Sequence, residues 1–326
     1  MQMLQSDYMV SLQEPPNPST QKDNSMFKNA IVYRINQHPK TLGITERQEI
    51  LQAHAFAPCY ATQEKSMGWV PPRGEAHGSL IENIGGHHIL KLMTETKAVP
   101  GQALKREVDR MCADIEKATG RKPGKKDRRE LKEDALLAML PGAFPKQSAT
   151  LVWIDPRDSR IVIDASSQSK ADDVVTMLLK SFEGLELQMI NTVLAPAASM
   201  AHWLTDDEPY SGEHSFEVGR ECELKANDES KAVVKYGRHR LDTGEVTEHI
   251  RTGKMPTKLA LTWDGRVSFV LTEGLQIKKI QLLDGVFEGG DKDEDRFDAD
   301  VAIFTGEMAR MLPALFAVLG GEVEAA

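Results

Sequence analysis

The sequence predicts an α+β fold, in which antiparallel sheets with packed helices carry an inserted helical-hairpin arm. Short segments rich in β-branched and aromatic residues, such as residues 27–36, predict strands. The Asp264-Gly265 pair between two such segments is a strong short-range hairpin signal. Segments with apolar residues at helical spacing, such as 101–119 and 169–182, predict helices. Their order is that of one α+β domain interrupted by a helical arm and followed by a second region.

The central α+β domain is assigned to residues 26–98 and 150–196. Its predicted elements, in order, are a strand at 27–36, a helix from Thr45 to about residue 56, a hairpin of 79–84 with 87–96, a hairpin of 150–154 with 160–165, a helix at 169–182 and a strand at 185–190. The segment MGWVPP at 67–72 loses two backbone donors to its prolines, which predicts a rigid loop or an edge rather than an interior strand.

Residues 99–149 are predicted to form the helical arm, with Gly120 and Pro123-Gly124 separating helices at 101–119 and 126–140. A second α+β region, the base, is assigned to 197–326. Its predicted elements are a short helix at 198–204, strands at 216–224 and 231–239, a helix at 245–251, a hairpin of 258–263 with 266–272, a strand at 275–282 and a C-terminal helix bent at Pro313. Residues 1–25, which are polar and contain three prolines, are expected to be a disordered extension.

The composition is that of a globular protein of 326 residues with a net charge of −9 and a pI near 5.6. Such a balance argues against a protein that binds DNA with its whole surface, but it permits binding through one basic face. The three cysteines form no C-x-x-C pair, which indicates a reducing compartment. No signal-peptide pattern and no apolar run of membrane-spanning length occur in the sequence, so we expect a cytoplasmic protein with no membrane partner.

Positive charge is concentrated in two stretches. Between residues 117 and 132, eight Lys and Arg stand against two acids, a local charge of +6. Residues 231–258 contain seven Lys and Arg against three acids. The candidate DNA-contacting residues from the two stretches are Arg121, Lys122, Lys125, Lys126, Arg128, Lys235, Arg238, Arg240, Lys254 and Lys258. Either stretch is also typical of a solvated charged face. No base-reading helix is recognisable, so we expect phosphate contacts with weak sequence preference.

Within the second stretch, the spacing of three of the candidates limits which of them can act together. On one continuous strand, Arg238 and Arg240 would share a face, because side chains alternate. Lys235 would need a turn at Gly237 to join them.

An acidic run at residues 284–300 has eight acids against Lys292 and Arg296. One interpretation is a divalent-metal site for phosphodiester cleavage. That site would use Asp291, Asp293, Asp295, Asp298 and Asp300. The other interpretation of the acidic run is a solvated loop in which Asp298 or Asp300 caps the last helix. No nucleotide-binding loop, zinc spacing or G-x-S-x-G elbow is present, so apart from the metal-site alternative the sequence predicts no metal, cofactor or catalytic residue.

Phe144 follows the second arm helix at a Pro-Gly turn. An apolar residue in this position most often folds back onto its own helix. At the tip of an inserted arm it could instead contact another protein chain.

Seven short motifs resemble those of the RdgC family, the bacterial recombination-associated proteins. They are FKNAIVYRI at 27–35, MGWVPP at 67–72, LPGAF at 140–144, WID at 153–155, TKLALTW at 257–263, RFDAD at 296–300 and TGEM at 305–308. The motifs follow the family's order and extend over residues 26–321. Residues 1–25 depart from the family's usual start, and 195–227 match it poorly.

The resemblance implies a toroidal homodimer, a ring whose hole admits duplex DNA. It further implies binding of single- and double-stranded DNA without marked sequence preference, no known catalytic activity, and antagonism of RecA-promoted strand exchange in the nucleoid. Lys235, Arg238, Lys254 and Lys258 match basic positions on the inner surface of the ring, whereas Gly237 stands where many members have Lys. Arg121 and Lys122 match basic positions of the arm, and Phe144 matches the aromatic residue of the arm-to-arm contact.

The sequence interpretation is therefore a non-enzymatic DNA-binding ring dimer. Two alternatives remain. One is a metal-dependent nuclease that uses the acidic run at 291–300, and the other is a protein-binding regulator of recombination whose DNA binding is secondary.

Overall fold

The computed structural model describes residues 26–39, 43–206, 209–211, 214–283 and 296–323. Within these ranges the chain forms an α+β fold with a large antiparallel sheet and seven α-helices, as the sequence predicts. The predicted N-terminal extension, residues 1–25, lies outside the described residues.

Thirteen strands form the sheet among the described residues. In chain order they are β1 (Asn29–Gln37), β2 (Lys65–Val70), β3 (Glu82–Ile84), β4 (His87–Lys97), β5 (Pro145–Asp155), β6 (Arg160–Ile163), β7 (Glu186–Met189), β8 (Tyr210–Ser211), β9 (His214–Ala226), β10 (Val233–Gly237), β11 (Lys254–Trp263), β12 (Val267–Thr272) and β13 (Ile277–Leu282). The main path runs β10-β9-β11-β12-β13-β1-β6-β5-β4-β2, with β3, β7 and β8 paired to β4, β1 and β9.

The helices pack on this sheet or extend from it. They are α1 (Ile44–Ala53), α2 (Gly101–Thr119), α3 (Lys125–Met139), α4 (Gln168–Ser181), α5 (Pro196–Thr205), α6 (Gly244–Arg251) and α7 (Arg296–Val318). A 3-10 turn at Leu140–Gly142 follows α3. The arm is a hairpin of α2 and α3 with its own small core, in which Leu104, Val108 and Cys112 pack with Ala135. The predicted helical hairpin is therefore confirmed.

Strand β1 joins the two halves of the sheet. Its first residues, Asn29 and Ala30, pair with β13, and Ile31 to Arg34 pair with β6 on the other edge. One face of the joined sheet is covered by α7, where the Phe304 ring stacks on the Phe27 ring at a centroid distance of 4.7 Å. In the half of the sheet that contains β4, β5 and β6, the opposite face is covered by α4 through Val174 and Leu178. Strand β1 and helix α7 together therefore hold the base against the domain that carries the arm.

The MGWVPP segment lies at the edge of the sheet, as expected. Strand β2 ends at Val70, immediately before the two prolines, and pairs only with β4 in the main path. The His54–Phe56 backbone runs alongside this edge as a parallel bridge, because Trp69 donates its N–H to the His54 carbonyl and Phe56 donates its N–H to the Trp69 carbonyl. A Cβ on Gly68 would lie 2.3 Å from the Phe56 Cα. Glycine at this position is thus required by the close approach of the Ala55–Phe56 backbone.

Strand β5 is longer than the sequence predicts. It begins at Pro145, not near residue 150, and pairs with β4 along the whole length of both strands. The first residues of β5 are exposed and polar, so their hydrogen bonds form without the apolar alternation that signals a strand. This two-stranded extension connects the sheet to the arm.

Helix α7 is the only described helix that is long and apolar enough to span a membrane. Over half of that stretch, 56%, is buried inside the fold, where Phe304, Met308, Met311 and Leu315 fill the larger core. The burial is that of a core helix. The helix runs through Pro313 and ends at Val318.

Candidate nucleic-acid interface

The basic turn of the arm lies at the free end of the α2–α3 hairpin. Helix α2 ends at Thr119 and is capped by Gly120, whose φ of 70° is the left-handed conformation that glycine adopts most readily. Arg121 and Lys122 follow in the turn, and Lys125 begins α3. Because the first backbone N–H groups of a helix favour anions, this turn combines side-chain charge with the positive end of α3.

The cations of the turn are exposed and weakly held. Lys122 lies 3.8 Å from Glu116 and Lys126 lies 4.0 Å from Glu130, while Arg128 makes a closer pair with Asp109 at 2.7 Å. Arg121 and Lys125 have no ion pair within the described residues. Exposed pairs of this kind contribute about 0–1 kcal/mol, so phosphate can replace the carboxylates at little cost.

In the base, Lys235 and Lys258 meet at one carboxylate. Strand β9 places Glu223 directly opposite Lys235 of β10 and Lys258 of β11. The two ammonium groups lie 3.2 and 3.0 Å from the Glu223 carboxylate. Hydrogen bonds from Lys258, followed by Lys235 and Thr257, outweigh burial and lower the pKa of Glu223 from 4.5 to about 2. Glu223 therefore offsets part of the charge that the two lysines present.

The sheet face that contains Lys235 and Lys258 carries further lysines. Lys225 of β9 lies opposite Met255 of β11, and Lys278 of β13 lies opposite Val270 of β12. Val270 in turn lies opposite Ala260, which is on the same face of β11 as Lys258. Lys279 reaches Glu221 on the same face at 2.5 Å. We call these five residues the lysine face: Lys225, Lys235, Lys258, Lys278 and Lys279. They stand against Glu221, Glu223 and Glu217, which lies opposite Thr262 on the same face, so these side chains have a net charge of +2 (five minus three).

The remaining base candidates lie elsewhere. The strand predicted at 231–239 is shorter: β10 ends at Gly237, and Arg238 follows it with a φ of 56°. Arg238 and Arg240 therefore do not lie on one continuous strand. Arg240 pairs with Asp242 at 2.5 Å in the loop before α6. The Lys254 ammonium lies 3.1 Å from Nδ1 of His249 on α6. Helix α6 packs on the opposite side of the sheet from Lys258, so these residues do not form one surface.

Phe144 is 93% exposed and does not fold back onto its helix. It directly precedes Pro145, which pairs with Lys97 at the start of the arm. The expectation that Phe144 lies at the tip of the arm is therefore wrong, because the hairpin returns the chain to the sheet before this residue. Leu137 of α3 is 50% exposed. Phe144 and the basic turn therefore lie at opposite ends of the α2–α3 hairpin.

The acidic run is described only from residue 296 onward, so Asp291, Asp293 and Asp295 lie outside the described residues. Asp298 lies in the first turn of α7 and pairs with Arg73 at 2.5 Å. Asp300 pairs with Arg296 at 3.6 Å, and burial raises the pKa of its carboxyl. Across the described ranges, no group of three or more metal-ligating residues is close enough to hold an ion.

The pH dependence of stability provides a check on the Glu223 site. Because the folded state lowers the pKa of Glu223 to about 2, its stabilisation is complete above pH 4.5 and is lost as the pH falls toward 2. We expect Glu223→Gln to lower the free energy of unfolding at pH 7 by about 1–2 kcal/mol, with the difference disappearing near pH 2. Urea unfolding over this pH range measures it, with Glu221→Gln as control. A difference that persists at low pH would contradict the assignment.

Known proteins resemble this chain over nearly its whole length. A family model described as "Putative exonuclease, RdgC" matches residues 26–322. Three curated proteins named "Recombination-associated protein RdgC" are 40%, 42% and 41% identical to the chain, from Janthinobacterium sp. (strain Marseille), Herminiimonas arsenicoxydans and Cupriavidus necator. Their alignments cover 91%, 91% and 92% of this chain and 99%, 98% and 99% of the relatives. The chain belongs to the RdgC family of recombination-associated proteins.

Proposed function

We propose that the protein is a non-enzymatic DNA-binding protein that encircles duplex DNA as a homodimeric ring. It binds single- and double-stranded DNA through phosphate contacts and limits RecA-promoted recombination by occupying the DNA. The observation that carries this proposal is the concentration of exposed positive charge at the arm turn, with a local charge of +6 in a chain of net charge −9. Such segregation attracts a polyanion to one surface and leaves the rest of the protein acidic.

Two surfaces take part in DNA binding in this proposal. The arm turn supplies cations that are free or weakly paired, and the lysine face supplies a net charge of +2 on a sheet surface. Neither surface presents a helix shaped to read bases, so the contacts are with phosphates. We further propose that Phe144, with 93% of its surface exposed, contacts the arm of a second copy and closes the ring.

The dependence of binding on salt tests this function. Each neutralised phosphate releases counterions, so affinity for duplexes of unrelated sequence should fall by about three orders of magnitude or more between about 50 and 200 mM salt. Fluorescence anisotropy at several salt concentrations measures the salt slope, which is the change in the logarithm of affinity with the logarithm of salt concentration. Glu223→Gln should raise the affinity, because it frees two lysines. Salt-independent or strongly sequence-selective binding would contradict phosphate-based clamping.

A nuclease is the second candidate, and the description of the matching family model favours it. Incubation with linear DNA and Mg²⁺ or Mn²⁺ distinguishes the two functions. We expect intact DNA. Cleavage that is lost in the Asp298→Asn, Asp300→Asn variant would contradict the non-enzymatic proposal and assign the reaction to the acidic run. A third outcome, capture of a protein partner that survives nuclease treatment, would favour a regulator whose DNA binding is secondary.

A further inference from the structure

A polar pocket lies where the sheet meets the arm, apart from both surfaces described above. Its volume is about 300 Å³. The floor is formed by β4 and β5, whose directly opposed pair Thr94 and Ser148 contributes two hydroxyl groups. Leu92 and Val174 form its apolar back wall. The pocket therefore begins where the core under α4 ends and the two strands continue toward the arm.

Three lysines surround this pocket and only one carboxylate opposes them. Lys65 of β2, Lys146 of β5 and Lys170 of α4 all line it, together with Asp173. Lys65 is held by Asp173 at 2.5 Å. Lys146 and Lys170 are exposed, and neither has an ion pair in the described ranges. The lining thus has a net charge of +2 (three minus one).

The hydroxyl groups of the pocket are also available. Thr150 is 8% exposed and, like Thr94 and Ser148, makes no side-chain hydrogen bond to any described residue. Thr96, also in the lining, uses its hydroxyl in a long 3.5 Å bond to the Lys146 carbonyl. Hydroxyl donors beside unpaired ammonium groups are the set that binds phosphate oxygens in proteins. The excess positive charge of the lining favours an anionic ligand over an uncharged or cationic one.

We infer that this pocket binds a phosphate group, and that the phosphate belongs to the backbone of a DNA strand. Lys146 and Lys170 supply the charge, and Thr94, Ser148 and Thr150 donate hydrogen bonds to the oxygens. The pocket lies at the root of the arm, and α2 extends for 19 residues from there to the basic turn. That length is about 28 Å, the rise of about eight nucleotides of one strand of B-DNA. The arm can therefore engage one duplex at both of its ends.

The assignment of this phosphate to DNA rests on the proposed function, so the test distinguishes failure of the pocket site from failure of DNA binding itself. We compare three double variants with wild type: Lys146→Gln with Lys170→Gln removes charge, Thr94→Val with Ser148→Ala removes hydroxyls only, and Lys105→Gln with Lys180→Gln makes the same charge change at exposed lysines outside the pocket. Affinity for a 20-base-pair duplex is measured by anisotropy at several salt concentrations, and pyrophosphate binding is measured by calorimetry.

We expect the pocket lysine variant to bind the duplex about fivefold to tenfold more weakly, with the salt slope reduced by about one to two. The hydroxyl variant should lose about twofold to fivefold in affinity with an unchanged slope, because it removes no charge. The control should remain within about twofold of wild type. Pyrophosphate should bind wild type and lose affinity in both pocket variants.

Other outcomes overturn the inference. If wild type binds DNA but the pocket variants bind equally well, the proposed function stands and the pocket site is wrong. If the control loses as much affinity as the pocket lysine variant, the loss comes from the overall charge of the protein and not from the pocket. If wild type fails to bind DNA, the proposed function is wrong. Pyrophosphate binding that is lost in the pocket variants would then identify a small-phosphate site and overturn the DNA assignment.

Discussion

Charge reversal at the arm turn is expected to lower duplex affinity by about two orders of magnitude at moderate salt, because three phosphate contacts become repulsive. The variant is Arg121→Glu, Lys122→Glu and Lys125→Glu together. These positions suit the test because two of them have no ion pair within the described chain and the third pair is long, at 3.8 Å. Reversal therefore leaves no buried charge unpaired, and the fold should remain intact.

The measurement is anisotropy with two unrelated duplexes, which should lose affinity equally, and the salt slope should fall by about three. A matched control reverses Lys105, Arg106 and Lys180, three exposed cations away from the turn. Equal losses in the variant and the control would show that the turn has no specific role. Loss for one duplex only would indicate base reading, which contradicts the phosphate-contact account.

Replacing Phe144 by serine is the second substitution with a large expected effect. The side chain is 93% exposed, so its loss costs the isolated fold little, and its effect should fall on contacts between chains. We expect the dimer to persist in sedimentation through a second contact, while retention on closed circular DNA falls about tenfold or more, as for a buried apolar contact residue in an interface. Leu179→Ser, at a residue 44% exposed on α4, is the control.

Equal retention of wild type and Phe144→Ser on circular DNA would contradict the role of Phe144 in ring closure. A wild-type protein that sediments as a monomer under binding conditions would contradict the dimer itself. These outcomes leave the phosphate contacts of the arm turn unaffected, because that turn lies at the other end of the hairpin.

Helices were the most predictable part of the fold. In α2, the apolar stripe of Leu104, Val108 and Cys112 is visible in the sequence and packs as expected in the arm core. In α4, Val174 and Leu178 fill the core on their side of the sheet. Helical spacing is a local property, so each helix reports its own buried face.

The assembly of the sheet was less predictable because it depends on pairings distant in sequence. Nothing near Asn29 indicates that β1 exchanges its partner from β13 to β6 within a few residues. The beginning of β5 was missed because its exposed polar residues lack apolar alternation. Register also determines the lysine face: Lys225 and Lys278 lie in different strands, and only the ladder places them on one surface.

In the candidate site too, the features that are local in sequence were predictable and those that depend on distant pairings were not. Local charge density correctly located an exposed basic turn in the arm, but it could not show that Lys235 and Lys258 share Glu223. Nor could it show that Lys254 and Arg240 lie beside α6, because a bulge in β11 and the end of β10 change the direction of the side chains. The role of each residue in DNA binding remains a prediction.

The central claim is that the protein encloses DNA, and retention on closed circular DNA tests it most directly. Protein is loaded on a covalently closed circle, challenged with salt high enough to screen phosphate contacts, and assayed before and after the circle is cut once. We predict that the protein stays on the closed circle and leaves within minutes of cutting, because only a topological link survives screening. Equal loss from closed and cut DNA would contradict a ring and leave a simple electrostatic binder.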